Sequence, residues 1–175
     1  ESYKDFFVFD KRTNGVREIM VRELPWLTET FGDIKSWSIE MSNVSSLKVD
    51  YPDSYFMILN HDSGTRGVVL MDVVARKSSI NLEVISENLY LTWDGTPTGV
   101  KEYDIEGKEE KPVHLYDAFE HNDNYAKNIV EDAYANEIVA FFDQVNNGVE
   151  PVYNFKKDQR VLDIMDGLED KLING

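Results

Sequence analysis

The stretch GVREIMVRELPWLTETFGD, residues 15–33, decides how this chain is read. Met20, Leu24, Leu27 and Phe31 recur at i, i+4, i+7 and i+11, which predicts a helix over 16–31 with one apolar stripe, and Gly32 is a natural stop just past its end. Pro25 interrupts the pattern. Its nitrogen has no hydrogen for the Val21 carbonyl and its ring crowds that turn, so the helix is expected to kink or restart there and to tilt Trp26 and Leu27 onto a sheet. The helix also carries a charged stripe, Glu18, Arg22 and Glu29. Glu18 and Arg22 are four residues apart and share a face. They make either an exposed ion pair worth about 0.3–0.5 kcal/mol or a polar pair aimed at a ligand.

Working outward, residues 3–9, YKDFFVF, read as a short aromatic strand. After Gly32 the chain becomes strand-rich. IKSWSIEMSNV sets Ile34, Ser36 and Ser38 against Lys35, Trp37, Ile39 and Met41. SYFMILNHD and TRGVVLMDVVARK flank a short glycine-bearing link, so they form a hairpin in which His61 and Arg66 are expected to be solvated. SINLEVISENLYLTWDG holds two more strands around SEN, and VKEYDIEGKEEKPVHLYD continues the strands around a solvated acidic loop at 106–111. The last third is helical. Tyr134, Ile138, Phe141, Phe142 and Val145 form one apolar face stopped by Asn147-Gly148, and Pro151 prevents resumption. Asp158 is expected to cap a final helix that buries Val161, Ile164, Met165, Leu168 and Leu172. Strands gathered between helices predict an α+β fold with an antiparallel or mixed sheet and helices on one face.

Composition excludes several classes. The 175 residues suffice for one domain with a real core, and 42% apolar content marks a globular chain rather than a disordered one. The net charge of −15 repels a phosphate backbone, so no nucleic-acid partner is expected. No apolar run reaches the roughly 18 residues a bilayer span needs, so no membrane is expected either. With no cysteine there is no disulfide, thiolate metal site or cysteine nucleophile, which fits a cytoplasmic protein. The glycines are scattered, and GTRG at 64–67 lies between strands rather than before a helix, as a phosphate cradle would. His61, His114 and His121 lack helical metal-site spacing, and no GxSxG elbow is present. No complete active site is visible in the chain, and no metal is expected.

The C-terminal run YANEIVAFFDQVNNGVEPVYNFKKDQRVLDIMDGLEDKLING resembles the end of the glucose–fructose oxidoreductase and inositol dehydrogenase (Gfo/Idh/MocA) family, through Tyr134, Glu137, Phe141, Asn147, Gly148, Pro151, Val161 and Leu162. INLEVISENLYLTWDG is similar to that family's strand–turn–strand segment, and GVREIMVRELPWLTETFGDIKSW to the first helix of its second domain. The resemblance implies that residues 1–175 are a single α+β domain, an open, mostly antiparallel or mixed sheet of about six strands with helices on one face. It implies a parent whose N-terminal Rossmann domain, absent from this chain, binds NAD or NADP and carries a catalytic lysine. No cofactor-binding residue is expected here, and this fragment alone is expected to be inactive. It further implies a homo-oligomer formed through the sheet face and a sugar, sugar-nucleotide or polyol substrate that reacts by hydride transfer at a carbinol. Glu18 falls at the family's aspartate place and Arg22 at its histidine place, which makes both candidate catalytic residues. Arginine stays protonated, so Arg22 can grip an anion but cannot relay a proton as histidine does. Arg22, Trp26, His114 and Tyr116 are the candidate substrate-binding residues, the last two on a late strand. A non-catalytic ligand-binding or assembly module of the same fold is the other reading.

Overall fold

The structure is a computed structural model that describes residues 3–6, 9–117, 124 and 130–170. Two compact units emerge, Glu1–Arg76 with Tyr153–Gly175, and Lys77–Val152. Leu172, His121 and Phe7 lie outside the described residues.

The first unit is built on the opening stretch. Helix α1, Gly15–Phe31, buries Val16, Met20, Leu24 and Leu27. It runs through Pro25 without restarting. A proline inside a helix costs about 3 kcal/mol or more. Each buried Met or Leu returns about 1.5–3 kcal/mol, and such residues lie on both sides of the proline, so packing outweighs the lost backbone bond. Three antiparallel strands follow, β1 (Ile34–Ser42), β2 (Ser54–His61) and β3 (Arg66–Asp72), in the order β1-β2-β3. Helix α3, Phe155–Glu169, completes the unit and buries Val161, Ile164, Met165 and Leu168. On the sheet, Tyr55, Met57 and Leu59 of β2 are fully buried in the same core as α1 and α3. Their neighbours Phe56 and Ile58, with Val68 and Leu70 of β3, remain exposed on the other face.

Several local expectations change. Tyr3–Asp5 is a 3₁₀ turn, not the start of a strand. A register shift between Ile34 and Ser36 puts Ile34 in phase with Trp37, Ile39 and Met41, where simple alternation had placed it with the serines. The N-cap of α3 is Asn154, whose side chain accepts from the Lys156 and Lys157 amides, and Asp158 sits in the first turn. His61 is buried rather than solvated: its Nδ1–H donates to the Gly32 carbonyl at 2.6 Å and its ring meets the edge of Phe31.

The second unit holds a four-stranded antiparallel sheet ordered β4-β5-β6-β7, with β4 Leu82–Ile85, β5 Tyr90–Trp93, β6 Lys101–Asp104 and β7 Glu109–Pro112. The fold is therefore α+β as expected, and the described residues form seven strands in two antiparallel sheets. The acidic loop begins one residue earlier than expected and closes within 105–108, so Glu109–Pro112 is a strand. Helix α2, Glu131–Asn147, ends at Gly148 in the left-handed region, as Asn-Gly predicts. Its apolar face, Tyr134, Ile138, Phe141, Phe142 and Val145, is exposed.

Candidate functional site

Glu18, Arg22 and Trp26 follow one another at four-residue steps along α1, with Glu18 and Arg22 on the side turned away from its buried stripe. Glu18 is half-buried and Arg22 exposed. Among the described residues the i, i+4 ion pair does not form, and neither side chain has a hydrogen-bond or ion-pair partner. Trp26 is half-buried at the core edge, donates from Nε1 to Glu23 Oε2 at 2.7 Å and tilts against Phe31 at 6.4 Å. Its indole is thus committed to packing. Glu29, the third member of the charged stripe, accepts from Lys157 Nζ of α3 at 2.8 Å and is a tie between helices.

A network that sequence reading missed sets the rotation of α1. Asn14 caps the helix through its side-chain oxygen, which accepts from the Val16 and Arg17 amides, and its Nδ2 donates to the Tyr55 hydroxyl at 3.0 Å. That hydroxyl makes a longer contact, 3.4 Å, to Glu169. Arg17 donates to Glu169 and to Asp166, each at 2.6 Å. Burial opposes the charge of Arg17, but the two carboxylates outweigh it and bind the guanidinium's proton more tightly than in free arginine. Burial, aided by the Glu169 charge and opposed by Asn14, pushes the Tyr55 hydroxyl up to about 12. The Asn14-Gly15 pair was the available signal, since Asn is a strong helix N-cap and tolerates the positive φ of 35° found here.

His114 and Tyr116 belong to the second unit, in the exposed segment after β7 rather than on a strand. Tyr116 forms, with Leu115, one wall of an apolar cavity over β4 and β5. The candidate residues thus divide between the two units: Glu18, Arg22 and Trp26 in one, His114 and Tyr116 in the other. Among the described residues no group of histidines and carboxylates could hold a metal ion. No helix start there follows a strand through a run of glycines, so the described residues do not form a dinucleotide cradle. No helix among them is long and apolar enough to cross a membrane.

No family model matches the chain, and no curated protein matches it. Solved structures share the fold. UDP-N-acetylglucosamine 3-dehydrogenase GnnA from Acidithiobacillus ferrooxidans superposes with a TM-score of 0.66 at 16% identity, over 89% of this chain and 47% of that one. Biliverdin reductase from Synechocystis sp. PCC 6803, in complex with biliverdin and NADP+, gives 0.62 at 12% identity, over 93% and 46%. An oxidoreductase from Agrobacterium radiobacter, in complex with NAD+, L-tartaric acid and magnesium, gives 0.61 at 10% identity, over 89% and 44%. The chain spans under half the length of each of these structures.

Proposed function

We propose that this chain is the C-terminal, substrate-side domain of a nicotinamide-dependent oxidoreductase of the Gfo/Idh/MocA type, acting on a sugar, sugar nucleotide or polyol. One observation carries the reading: nearly the whole chain superposes on less than half of chains described as a dehydrogenase, a reductase with NADP+ and an oxidoreductase with NAD+. An N-terminal Rossmann domain of the parent binds the NAD or NADP, whose bound nicotinamide supplies the hydride chemistry. That domain is the chain's principal partner, in a cytoplasmic enzyme. The exposed apolar face of β2 and β3 makes the contact between copies in a homo-oligomer.

Within this division, Arg22 binds a carboxylate or phosphate of the substrate through its guanidinium and stabilises negative charge beside the reacting carbinol. Glu18, one turn away, accepts a hydrogen bond from a substrate hydroxyl and orients it. Arg22 does not carry the proton, since its guanidinium does not give one up. The packing of Trp26 favours a supporting role.

The test is turnover of the full-length parent with NADH or NADPH against a panel of neutral and anionic sugars. Arg22→Gln is expected to raise KM for the anionic substrate about tenfold or more, the scale of a charge-assisted hydrogen bond, with a smaller change in kcat. Unchanged turnover in both Arg22→Gln and Glu18→Gln would remove them from the site. Because no proton-passing side chain follows Glu18 on its face of α1, a second reading is kept: a ligand-binding or assembly module without catalysis. It predicts saturable sugar binding by the parent and no oxidation of the nicotinamide.

A further inference from the structure

We propose that the cavity over β4 and β5 is a binding site for an uncharged planar ring, one or two fused rings in size. The cavity measures about 230 Å³ and lies within one compact unit. Its walls are Leu82, Leu91, Trp93, Val100, Leu115 and Tyr116, with no charged residue among those that line it. The register pairs Leu82 with Trp93, and Leu91 lies two residues before Trp93, so all three share one face of the sheet.

Trp93 and Thr96, two of the polar residues around the cavity, are already engaged. Trp93 Nε1 donates to the Thr96 carbonyl at 2.7 Å, which fixes the plane of the indole. The Gly99 amide donates to the same carbonyl at 3.1 Å. Thr96 donates from Oγ1 to Asp94 at 2.6 Å and from its amide at 3.0 Å, so the turn after β5 closes on itself. Gly95 holds a φ of 83° in that turn, and a Cβ there would stand 2.9 Å from the Ile80 carbonyl oxygen. The turn that closes this side of the cavity is therefore formed before any ligand arrives.

This lining selects its occupant. A phosphate or carboxylate would meet no cation there, on a chain of net charge −15. The hydroxyls of a polyol would lose water and gain few partners. A flat aromatic ring gives up fewer hydrogen bonds to water than a polyol and stacks on the fixed indole and on Tyr116. An apolar cavity of about 150 Å³ takes one benzene, so the volume here reaches an indole or a pyrimidine. The shared chemistry is the uncharged ring, carried either by a nucleoside or by an aryl compound. The inference does not rest on hydride transfer. If the oxidoreductase reading fails, ring binding is unaffected.

The experiment titrates the ¹⁵N-labelled 175-residue chain with indole, uridine and glucose in turn, and follows the Trp93 Nε1–H signal, identified by its loss in Trp93→Phe. Trp26 and Trp37 are internal references. Indole or uridine is expected to move the Trp93 signal saturably with a Kd on the order of 1 mM, the strength available to so small a ligand, and the tighter of the two identifies the aryl or the nucleoside source. Tyr116→Ala is expected to weaken that binding about 2–10-fold by removing one stacking partner. Four results would overturn the proposal. They are no movement with either ring, equal movement with glucose, an affinity unchanged in Tyr116→Ala, and magnetisation contacts from the Trp93 ring to Ile138 or Phe141, which would mean that the chain fills its own cavity.

Discussion

Tyr55→Phe isolates the bond that anchors the start of α1. The substitution keeps the ring, fully buried in the core, and deletes only the hydroxyl that accepts from Asn14 at 3.0 Å. Asn14 is itself buried and its amide would be left with a stranded donor, which costs about 1–3 kcal/mol. The contact from the hydroxyl to Glu169, at 3.4 Å, is too long to add much. Asn14→Ala is expected to cost more, about 3–4 kcal/mol. It removes the same bond, the cap on the Val16 and Arg17 amides, and the residue type that tolerates a φ of 35°. The double variant has no stranded donor, so its loss should fall short of the sum of the two by about 1 kcal/mol or more. Urea unfolding would be followed by tryptophan fluorescence in a Trp93→Phe background, which leaves Trp26 and Trp37, both in the unit concerned. With a denaturant slope of about 2 kcal/mol/M, Tyr55→Phe should lower the midpoint by about 0.5–1.5 M. Additivity within about 0.3 kcal/mol, or a midpoint shift below about 0.2 M, would refute the coupling.

The same hydroxyl predicts an alkaline limb. Its ionisation is raised in the folded state to about 12, so the stability it contributes is whole below its ordinary value of 10 and is lost as pH rises through 12; unfolding scans of Tyr55→Phe should lack that loss. Asp53 has the opposite sign. Burial raises its pKa, but the Ser45 hydroxyl and the Val44 and Ser45 amides outweigh this and hold it below the usual carboxylate value. Its contribution is present above the unfolded value, about 4, and disappears as pH falls through the lower folded one, so Asp53→Asn should flatten the acid limb of a stability–pH profile. Gly167→Ala should destabilise the first unit by about 1 kcal/mol, because a Cβ would stand 2.9 Å from the Trp37 ring and the clash exceeds the roughly 1 kcal/mol gained in helix propensity. In a Trp37→Leu background the same change should become stabilising, as measured by thermal unfolding.

The elements that carry strong periodicity were legible from sequence. The apolar stripe of α1 lies within one residue of its prediction and buries Met20, Leu24 and Leu27, and the hairpin around HDSGT and the two strands around SEN are present. Phase was lost where the backbone departs from regularity. One extra residue near Lys35 moves Ile34 to the other face, and a period-two pattern cannot show where such a residue is inserted. Composition misled at Tyr3–Asp5, where aromatic content suggests a strand but no partner strand is paired among the described residues. His61 was misplaced because a polar residue at a strand end reads as surface, whereas the Gly32 carbonyl supplies the partner that allows burial. Candidate site residues on α1 were legible as a helical stripe, but the residues that hold the stripe in place come from three separate elements. Asn14, Tyr55 and Glu169 meet only in space, so spacing along the chain carried no sign of them.

How α1 is held bears on what Arg22 can do. The helix carries two cations, Arg17 and Arg22. Arg17 is bound by two carboxylates of α3, while Lys157 and Arg160 of α3 tie back to Glu29 at the end of α1 and to Asp33 just beyond it. The cations that meet the α1–α3 junction are thus each matched to an acid, and the helix is pinned near both ends. With its apolar stripe buried as well, α1 cannot turn about its axis without breaking several contacts at once. The side of α1 that bears Glu18 and Arg22 is therefore set by ties that, Glu29 apart, lie outside the stripe. Arg22, among the described residues, has no such match, although acids outnumber bases 33 to 18 in the chain. The only acid one turn away on its face, Glu18, does not supply one, and Arg66 and Arg76 are likewise without an ion-pair partner among the described residues. The helix fixes where the Arg22 side chain begins, and its exposed guanidinium, without an internal partner, is free to turn toward an anion from outside the chain. On the proposed function, that availability suits Arg22 to an anionic group of the substrate rather than to proton transfer.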